Sequence, residues 1–224
     1  MSKKILTEKD LNDIEAAARK AEKKTAGEIA TAFIKESDDY AIYELFFALI
    51  CGFFYFNIIL LFWGDFNNIL SNMLWNYSEV YLLFFYGFST FLVIGVFYFI
   101  ANISVIDRLI VPKKVREKKV SERALRHFIE AGVYKTRDRT GILIFISFLE
   151  KRVELIADEG INAKIDQDKW DEIVSYIIKG IKKGTLSKNL VSAIADCGDL
   201  LAKHFPIKPD DKNELPDAVA VLEK

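Results

Sequence analysis

Two long stretches of the sequence contain no charged residue. They cover residues 45–63 and 80–106. Each reaches the roughly 20 residues that an α-helix needs to cross about 30 Å of hydrocarbon, and a buried soluble helix rarely stays apolar on every face for so long. The pattern predicts a transmembrane hairpin of two helices within residues 41–106.

The charged segments on either side of the hairpin show the periodicities of soluble secondary structure. Apolar residues recur at helical spacing in segments 5–24, 116–133, 168–182 and 187–204. Runs rich in apolar and β-branched residues predict strands at 28–34, 141–149 and 152–157. Because a helical crossover usually joins parallel strands, we expect an α/β fold in which a small mixed sheet is sandwiched by helices.

Removing the hairpin leaves about 160 residues, the size of one domain. We therefore expect residues 1–40 and 107–206 to form a single split domain, followed by an extended tail at 207–224 with Pro209 and Pro216. The helix at 168–182 is expected to bury Trp170. The helix at 116–133 is expected to bury Val120, Ala124, Leu125, Phe128 and Ile129.

Positive charge is distributed unevenly around the hairpin. The connecting segment, residues 64–79, contains no Lys or Arg, whereas the residues after the second apolar run are strongly basic. By the positive-inside rule, the connection lies outside and the split domain lies in the cytoplasm, at a bacterial inner membrane. The cations expected to contact lipid headgroups are Lys113, Lys114, Arg116, Lys118 and Lys119.

Composition excludes several classes of protein. The chain has 224 residues, 51% of them apolar, and a formal net charge of -1. These values do not fit a disordered or collagen-like chain, and near-neutral charge argues against nucleic acid as the main partner. Glu44 is expected to stay hydrated at the inner membrane surface, so no ionisable group is expected near the bilayer midplane, where a transporter would need one.

Charged loops gather at one predicted end of the sheet. If the first two strands are parallel and the third is antiparallel, the ends remote from the hairpin bring together Glu28, Arg137, Asp138, Arg139, Asp158 and Glu159. The carboxylates of Glu28, Asp158 and Glu159 could hold a hard divalent cation. Arg137 or Arg139 could bind a phosphate. The alternative is that these loops carry only solvated charges and exposed ion pairs.

Three segments resemble the TPM domain family. They are Thr25-Ala-Gly-Glu-Ile29, residues 140–147 with the adjoining Arg152-Val-Glu-Leu155, and Asp158-Glu-Gly-Ile161. The similarity is greatest to a bacterial membrane branch with two helices inserted after the first strand. The resemblance implies an α/β/α sandwich, phosphatase activity in some relatives, divalent metal binding in others, and roles in assembling or repairing membrane complexes.

We expect one of two functions. The first is a membrane-anchored cytoplasmic interaction module that supports the assembly or maintenance of an envelope complex. The second is a metal-assisted phosphatase or related hydrolase, with Ca²⁺ or Mg²⁺ as the candidate cofactor. The expected partners are the lipid bilayer and either another membrane protein or a second copy of the chain, and no nucleic acid is expected.

Overall fold

The structure is a computed structural model that describes residues 6–207, 213–216 and 218–223. Contacts along the chain divide it into two units. Unit 1 comprises Met1–Asp38 and Lys114–Lys224, and unit 2 comprises Asp39–Lys113. The second unit is therefore an insertion between two parts of the first.

The elements follow one another with short connections, except before the last strand. In chain order they are α1 (Glu8–Glu22), β1 (Glu28–Ile34), α2 (Ala41–Leu61), α3 (Trp63–Met73), α4 (Glu79–Ala101), α5 (Ser104–Ile110), α6 (Lys113–Glu130), a 3-10 turn (Val133–Lys135), β2 (Gly141–Ser147), β3 (Arg152–Ala157), α7 (Glu159–Asn162), α8 (Gln167–Lys183), α9 (Leu186–His204) and β4 (Ala220–Leu222).

The described strands form one mixed sheet in the order β3-β2-β1-β4. The first two strands are parallel, in a register that runs from Glu28 opposite Gly141 to Ile34 opposite Ser147. β3 is antiparallel to β2, and β4 is parallel to β1. The predicted small mixed sheet flanked by helices is confirmed.

Helices cover both faces of this sheet. On one face, α1, α8 and α9 enclose a core that includes Ile144 and Trp170. On the other face, α6 contributes Val120, Ala124 and Phe128, which pack with sheet residues such as Phe145. Every residue of β2 is buried, as expected for a central strand with helices on both sides.

Local sequence accounts for where the covering helices begin and end. Thr7 and Asp10 form a capping box at the start of α1, so each side chain accepts a hydrogen bond from the other's backbone N–H. At the end of α8, Gly184 has φ of 72°, a left-handed conformation that glycine adopts without steric cost.

The expected inward face of α6 is partly wrong. Leu125 and Ile129 are 51% and 54% exposed, whereas His127 is buried beside Phe145. The buried residues Val120, Ala124 and Phe128 recur every four positions, and Leu125 and Ile129 lie about 100° around the helix from that row. The sheet therefore contacts a narrower stripe of residues on α6 than the sequence pattern indicated.

In unit 2, α2 and α4 pack side by side. Phe47 and Phe97 make an edge contact with ring centroids 6.2 Å apart. A Cβ at Gly52 would lie 2.3 Å from the Ile94 side chain, so this close approach requires glycine. Both helices are long and apolar enough to cross a membrane, with 21 and 23 residues.

Polar side chains on these two helices have local partners. Asn57 donates to the carbonyl of Phe53, and Thr90 donates to the carbonyl of Tyr86. The expectation that Glu44 is hydrated is wrong within this unit, because it is only 4% exposed. Its Oε2 accepts a hydrogen bond of 3.1 Å from Asn102 Nδ2, which lies just after α4.

The segment after residue 206 contributes more to the fold than an extended tail would. Its last described residues form β4, which lies beside β1 with Ala32 opposite Ala220. Leu215 packs with the α6 side of the core. Residues 208–212, 217 and 224 of the predicted tail, including Pro209, lie outside the described residues.

Candidate functional site

The candidate loops meet at the amino-terminal end of β1 and β2. The Glu28 amide donates to the carbonyl of Thr140 at 3.1 Å, and the Asp158 amide donates to the carbonyl of Gly141 at 2.9 Å. These bonds join the start of β1, the loop before β2 and the residue after β3. We call this group of loops the charged end of the sheet.

An ion-pair cluster lies on the β3 side of the charged end. Arg139 Nε is 3.3 Å from Asp158 Oδ1, and its Nη2 is 3.8 Å from Glu159 Oε2. The Arg139 backbone has φ of 57°, and its guanidinium also donates to the carbonyl of Tyr134. Arg139 is therefore held by the protein's own groups.

Asp158 is the most buried acid of this cluster, with 5% of its side chain exposed. Its Oδ1 caps α7 by accepting a hydrogen bond of 2.7 Å from the Glu159 amide. Its Oδ2 is buried and has no hydrogen-bond partner among the described residues. A buried carboxylate oxygen without a hydrogen bond costs free energy, and a bound cation would lower that cost.

The C-terminal segment occupies the other side of the charged end. The Glu214 amide donates to Glu28 Oε1 at 3.1 Å, and Glu214 Oε2 accepts from the Arg137 amide at 2.7 Å. The Arg137 side chain is half exposed, with Nη2 4.0 Å from Asp138 Oδ2. Sequence reasoning missed Glu214, because its partners at the charged end lie far from it in the chain.

Close backbone contacts fix the shape of these loops. A Cβ at Gly160 would lie 2.7 Å from the carbonyl oxygen of Arg139 and 2.9 Å from that of Asp138. Thr140 donates through its hydroxyl to the carbonyl of Ala26, and its amide donates to Thr136 Oγ1. The loop before β2 is therefore attached to both the start of β1 and α7.

The donor set at the charged end does not fit a complete cation site. Among the described residues, no three or more His, Cys, Asp and Glu side chains are grouped so that they could hold a metal ion. Glu159 is 87% exposed and pairs with Arg139, and Glu28 accepts from the tail. The buried Asp158 Oδ2 alone is too few ligands for a hard divalent cation, so we derive no metal-dependent step here.

A second buried polar cluster lies at the carboxyl-terminal end of β1 and β2. Glu150 Oε1 accepts from the Ser37 amide at 3.0 Å, and its Oε2 accepts from the Ser147 hydroxyl. Lys119 pairs with Asp38 at 2.7 Å. The first two contacts tie the segment after β1 to the β2–β3 turn, and Lys119 ties that segment to α6. Sequence reasoning did not identify this role for Glu150.

The predicted lipid-contacting cations lie at the start of α6. Lys113, Lys114 and Lys118 are exposed. Lys118 Nζ is 3.7 Å from Glu122 Oε1, and Lys119 pairs with both Asp38 and Glu122. Arg116 also takes part in an interaction within the protein. Part of the positive charge is thus balanced locally.

Comparison with known proteins gives a family match and a fold match. A family model described as the TPM domain matches residues 105–200. The structure is similar to the NMR structure of the BA42 protein from the psychrophilic bacterium Bizionia argentinensis, with a TM-score of 0.59 and 22% sequence identity over 99% of each chain. No curated protein matches the chain. The region that matches the TPM domain model contains α6, β2, β3, α8 and most of α9.

Proposed function

We propose that the protein is a membrane-anchored interaction module that supports the assembly or maintenance of an envelope complex. The observation that carries this proposal is the insertion of unit 2 directly after β1. α2 and α4 are long and apolar enough to cross a bilayer, and both flanking parts of the chain return to one sheet. Such an insertion would attach the α/β domain to the membrane by two covalent connections.

The charged end supports this reading over a hydrolase. Arg139 is paired with Asp158 and Glu159, and the Arg137 amide and Glu28 are engaged by Glu214. Groups that satisfy one another are less available to a phosphate or a cation. The exposed Leu125 and Ile129 instead supply an apolar contact surface in the last two turns of α6.

Site-specific photo-crosslinking in native membranes tests the module. A benzoylphenylalanine at Leu125 or Ile129 should give a discrete adduct with a membrane protein or a second copy of the chain. The same photoprobe at Tyr176, an exposed aromatic position on α8, is the matched control and should give none. Membranes that contain normal amounts of both α6 variants but no adduct would overturn the assignment of this surface.

A metal-assisted phosphatase is the second candidate, and one observation favours it. Asp158 Oδ2 is buried without a hydrogen-bond partner among the described residues. Ca²⁺ and Mg²⁺ take such carboxylate oxygens as ligands. The remaining ligands would have to include carbonyl oxygens or water, because Glu159 pairs with Arg139 and Glu28 Oε1 accepts from the Glu214 amide.

Thermal unfolding with added Ca²⁺, Mg²⁺ or Mn²⁺ separates the two candidates. An interaction module should show no concentration-dependent shift and no turnover of a phosphomonoester in detergent. A hydrolase should show both, with the shift growing as the ion concentration rises. Asp158→Asn should then abolish the shift, whereas Asp168→Asn, at an exposed position on α8, should retain it.

A further inference from the structure

The segment between the two apolar helices is itself an amphipathic helix. α3 begins one residue after α2 ends, with Phe62 between them. At 100° per residue, Trp63, Phe66, Ile69, Leu70 and Met73 fall within one arc of about 120°. The opposite arc is polar and consists of Asp65, Asn67, Asn68, Ser71 and Asn72.

One edge of the apolar arc packs against other described residues of the protein. The Phe66 ring centroid is 5.2 Å from that of Phe85, and the Trp63 centroid is 5.6 Å from that of Tyr86. Leu70 packs with the same cluster on α4. The other edge stays open, since Ile69 and Met73 are more than half exposed. The apolar row continues past the helix end to Trp75, which is fully exposed.

The charge and the apolar exposure of the open edge indicate what kind of partner covers it. Residues 45–106 contain no Lys or Arg, and the described part of α3 carries one acid, Asp65, on its polar arc. Attraction to anionic headgroups is therefore absent. The open edge adjoins helices whose own large side chains, such as Phe84 and Phe88 on α4, are exposed. One lipid environment would cover both surfaces, and tryptophan favours its headgroup region.

We propose that α3 is an interfacial helix that lies in the headgroup region of a phospholipid bilayer and is held there by burial of Ile69, Met73 and Trp75. Binding depends on apolar area, so it is independent of anionic lipid and of salt. The polar arc faces water. This inference rests on the proposed membrane anchorage and adds a second, surface-bound element to the two spans.

Depth-dependent fluorescence quenching tests the position of α3. The full-length protein with Trp75 as its one tryptophan, made by Trp63→Phe and Trp170→Phe, is reconstituted in phosphatidylcholine vesicles. Bromines placed near the headgroups should remove about half of the Trp75 emission, and bromines deep in the acyl chains should remove less. High salt or added phosphatidylglycerol should leave the quenching unchanged. A variant that retains only Trp170, which is buried in unit 1, should not be quenched.

A matched pair of substitutions tests whether the quenching of Trp75 depends on burial of the open edge of α3. Ile69→Asp should reduce the quenching of Trp75 by bromines, because the carboxylate opposes insertion. Asn72→Asp adds the same charge on the polar arc and should leave the quenching unchanged. Equal effects of the two substitutions would contradict the proposed orientation of the helix.

The possible results distinguish a failure of the interfacial-helix proposal from a failure of the membrane anchorage on which it rests. Protein that floats with the vesicles while Trp75 is quenched by acrylamide in water and not by bromines would overturn the interfacial helix alone. Trp75 that is protected from both quenchers would also overturn it, in favour of burial by a second copy. Protein that fails to float would overturn the membrane anchorage itself.

Discussion

At the residue scale, Trp170 shows how one side chain determines the stability of unit 1. It is almost completely buried between α8 and the sheet, where it belongs to the core of Ile144 and Ile177. Its indole nitrogen has no hydrogen-bond partner among the described residues. The residue therefore stabilises the fold through packing and apolar burial.

Replacing Trp170 by alanine should lower the free energy of unfolding by about 3–5 kcal/mol, because the large cavity cannot collapse fully. Trp170→Phe is the matched control and should cost much less, since it keeps an aromatic ring and removes an unsatisfied N–H. Urea unfolding can be followed by thiol labelling of Cys197, which is fully buried, in a Cys51→Ser background. Equal losses for both variants would contradict the packing role.

His127 should make stability depend on pH. Burial lowers the pKa of His127 from its usual 6.5, and Arg123 lowers it further, although Glu130 acts in the opposite direction. The Phe145 ring faces it from β2. A lowered pKa means that the unfolded chain binds the proton more readily than the folded chain. The contribution of His127 to the free energy of unfolding is thus complete above pH 6.5 and is lost as the pH falls below that value.

The corresponding measurement compares the wild-type protein with His127→Gln. As the pH is lowered from about 7.5 to about 5.5, the urea midpoint of the wild type should decrease. The midpoint of the variant should decrease less, because glutamine does not titrate. Parallel pH profiles would show that His127 does not titrate differently in the folded and unfolded states.

At the element scale, the C-terminal segment is a separable part of the sheet. β4 covers only the last three residues of β1, and Glu214 adds two hydrogen bonds at the charged end. The Val219 amide also donates to Glu15 on α1. The segment thus bridges the sheet and a helix with few contacts.

Removing residues 213–224 should speed amide exchange at Phe33, whose N–H faces β4, by about tenfold, while β2 stays protected, because local opening follows local contacts. Val221→Ala is the control, since the Val221 side chain is largely exposed and its loss leaves the backbone pairing intact. Unchanged exchange in the truncated protein would mean that β4 does not protect β1.

The sequence predicted the elements whose patterns are strong and locally determined. β1 and β3 were placed with the observed bounds, and α8 and α9 within one residue at each end. The arrangement of Glu28, Arg139 and Asp158 at one end of the sheet followed from strand direction alone. Periodicity could not place Leu125 or Ile129, because the width of the buried stripe on α6 depends on the sheet beneath it.

Other features were beyond the reach of local patterns. β4 has three residues, too few for an alternating pattern, and its pairing with β1 joins positions far apart in the chain. Glu214 and Glu150 act through long-range backbone partners that no spacing rule identifies. The residues of α3 were predicted only as part of the segment that connects the two apolar runs, since the amphipathic pattern extends over just three turns.

At the scale of the whole molecule, the proposed function requires that the insertion after β1 crosses a membrane. The α/β domain must then lie on the side of the membrane where the basic residues after the second apolar helix lie. Cysteine labelling in intact cells tests both requirements most directly. Ser71→Cys, on the polar arc of α3, and Lys183→Cys, at the end of α8, are both exposed. In a Cys51→Ser background, an impermeant maleimide should label Ser71→Cys from outside and should reach Lys183→Cys only after the cells are permeabilised. Labelling of both positions in intact cells, or of neither, would contradict a spanning hairpin, and labelling of Lys183→Cys alone would contradict its orientation.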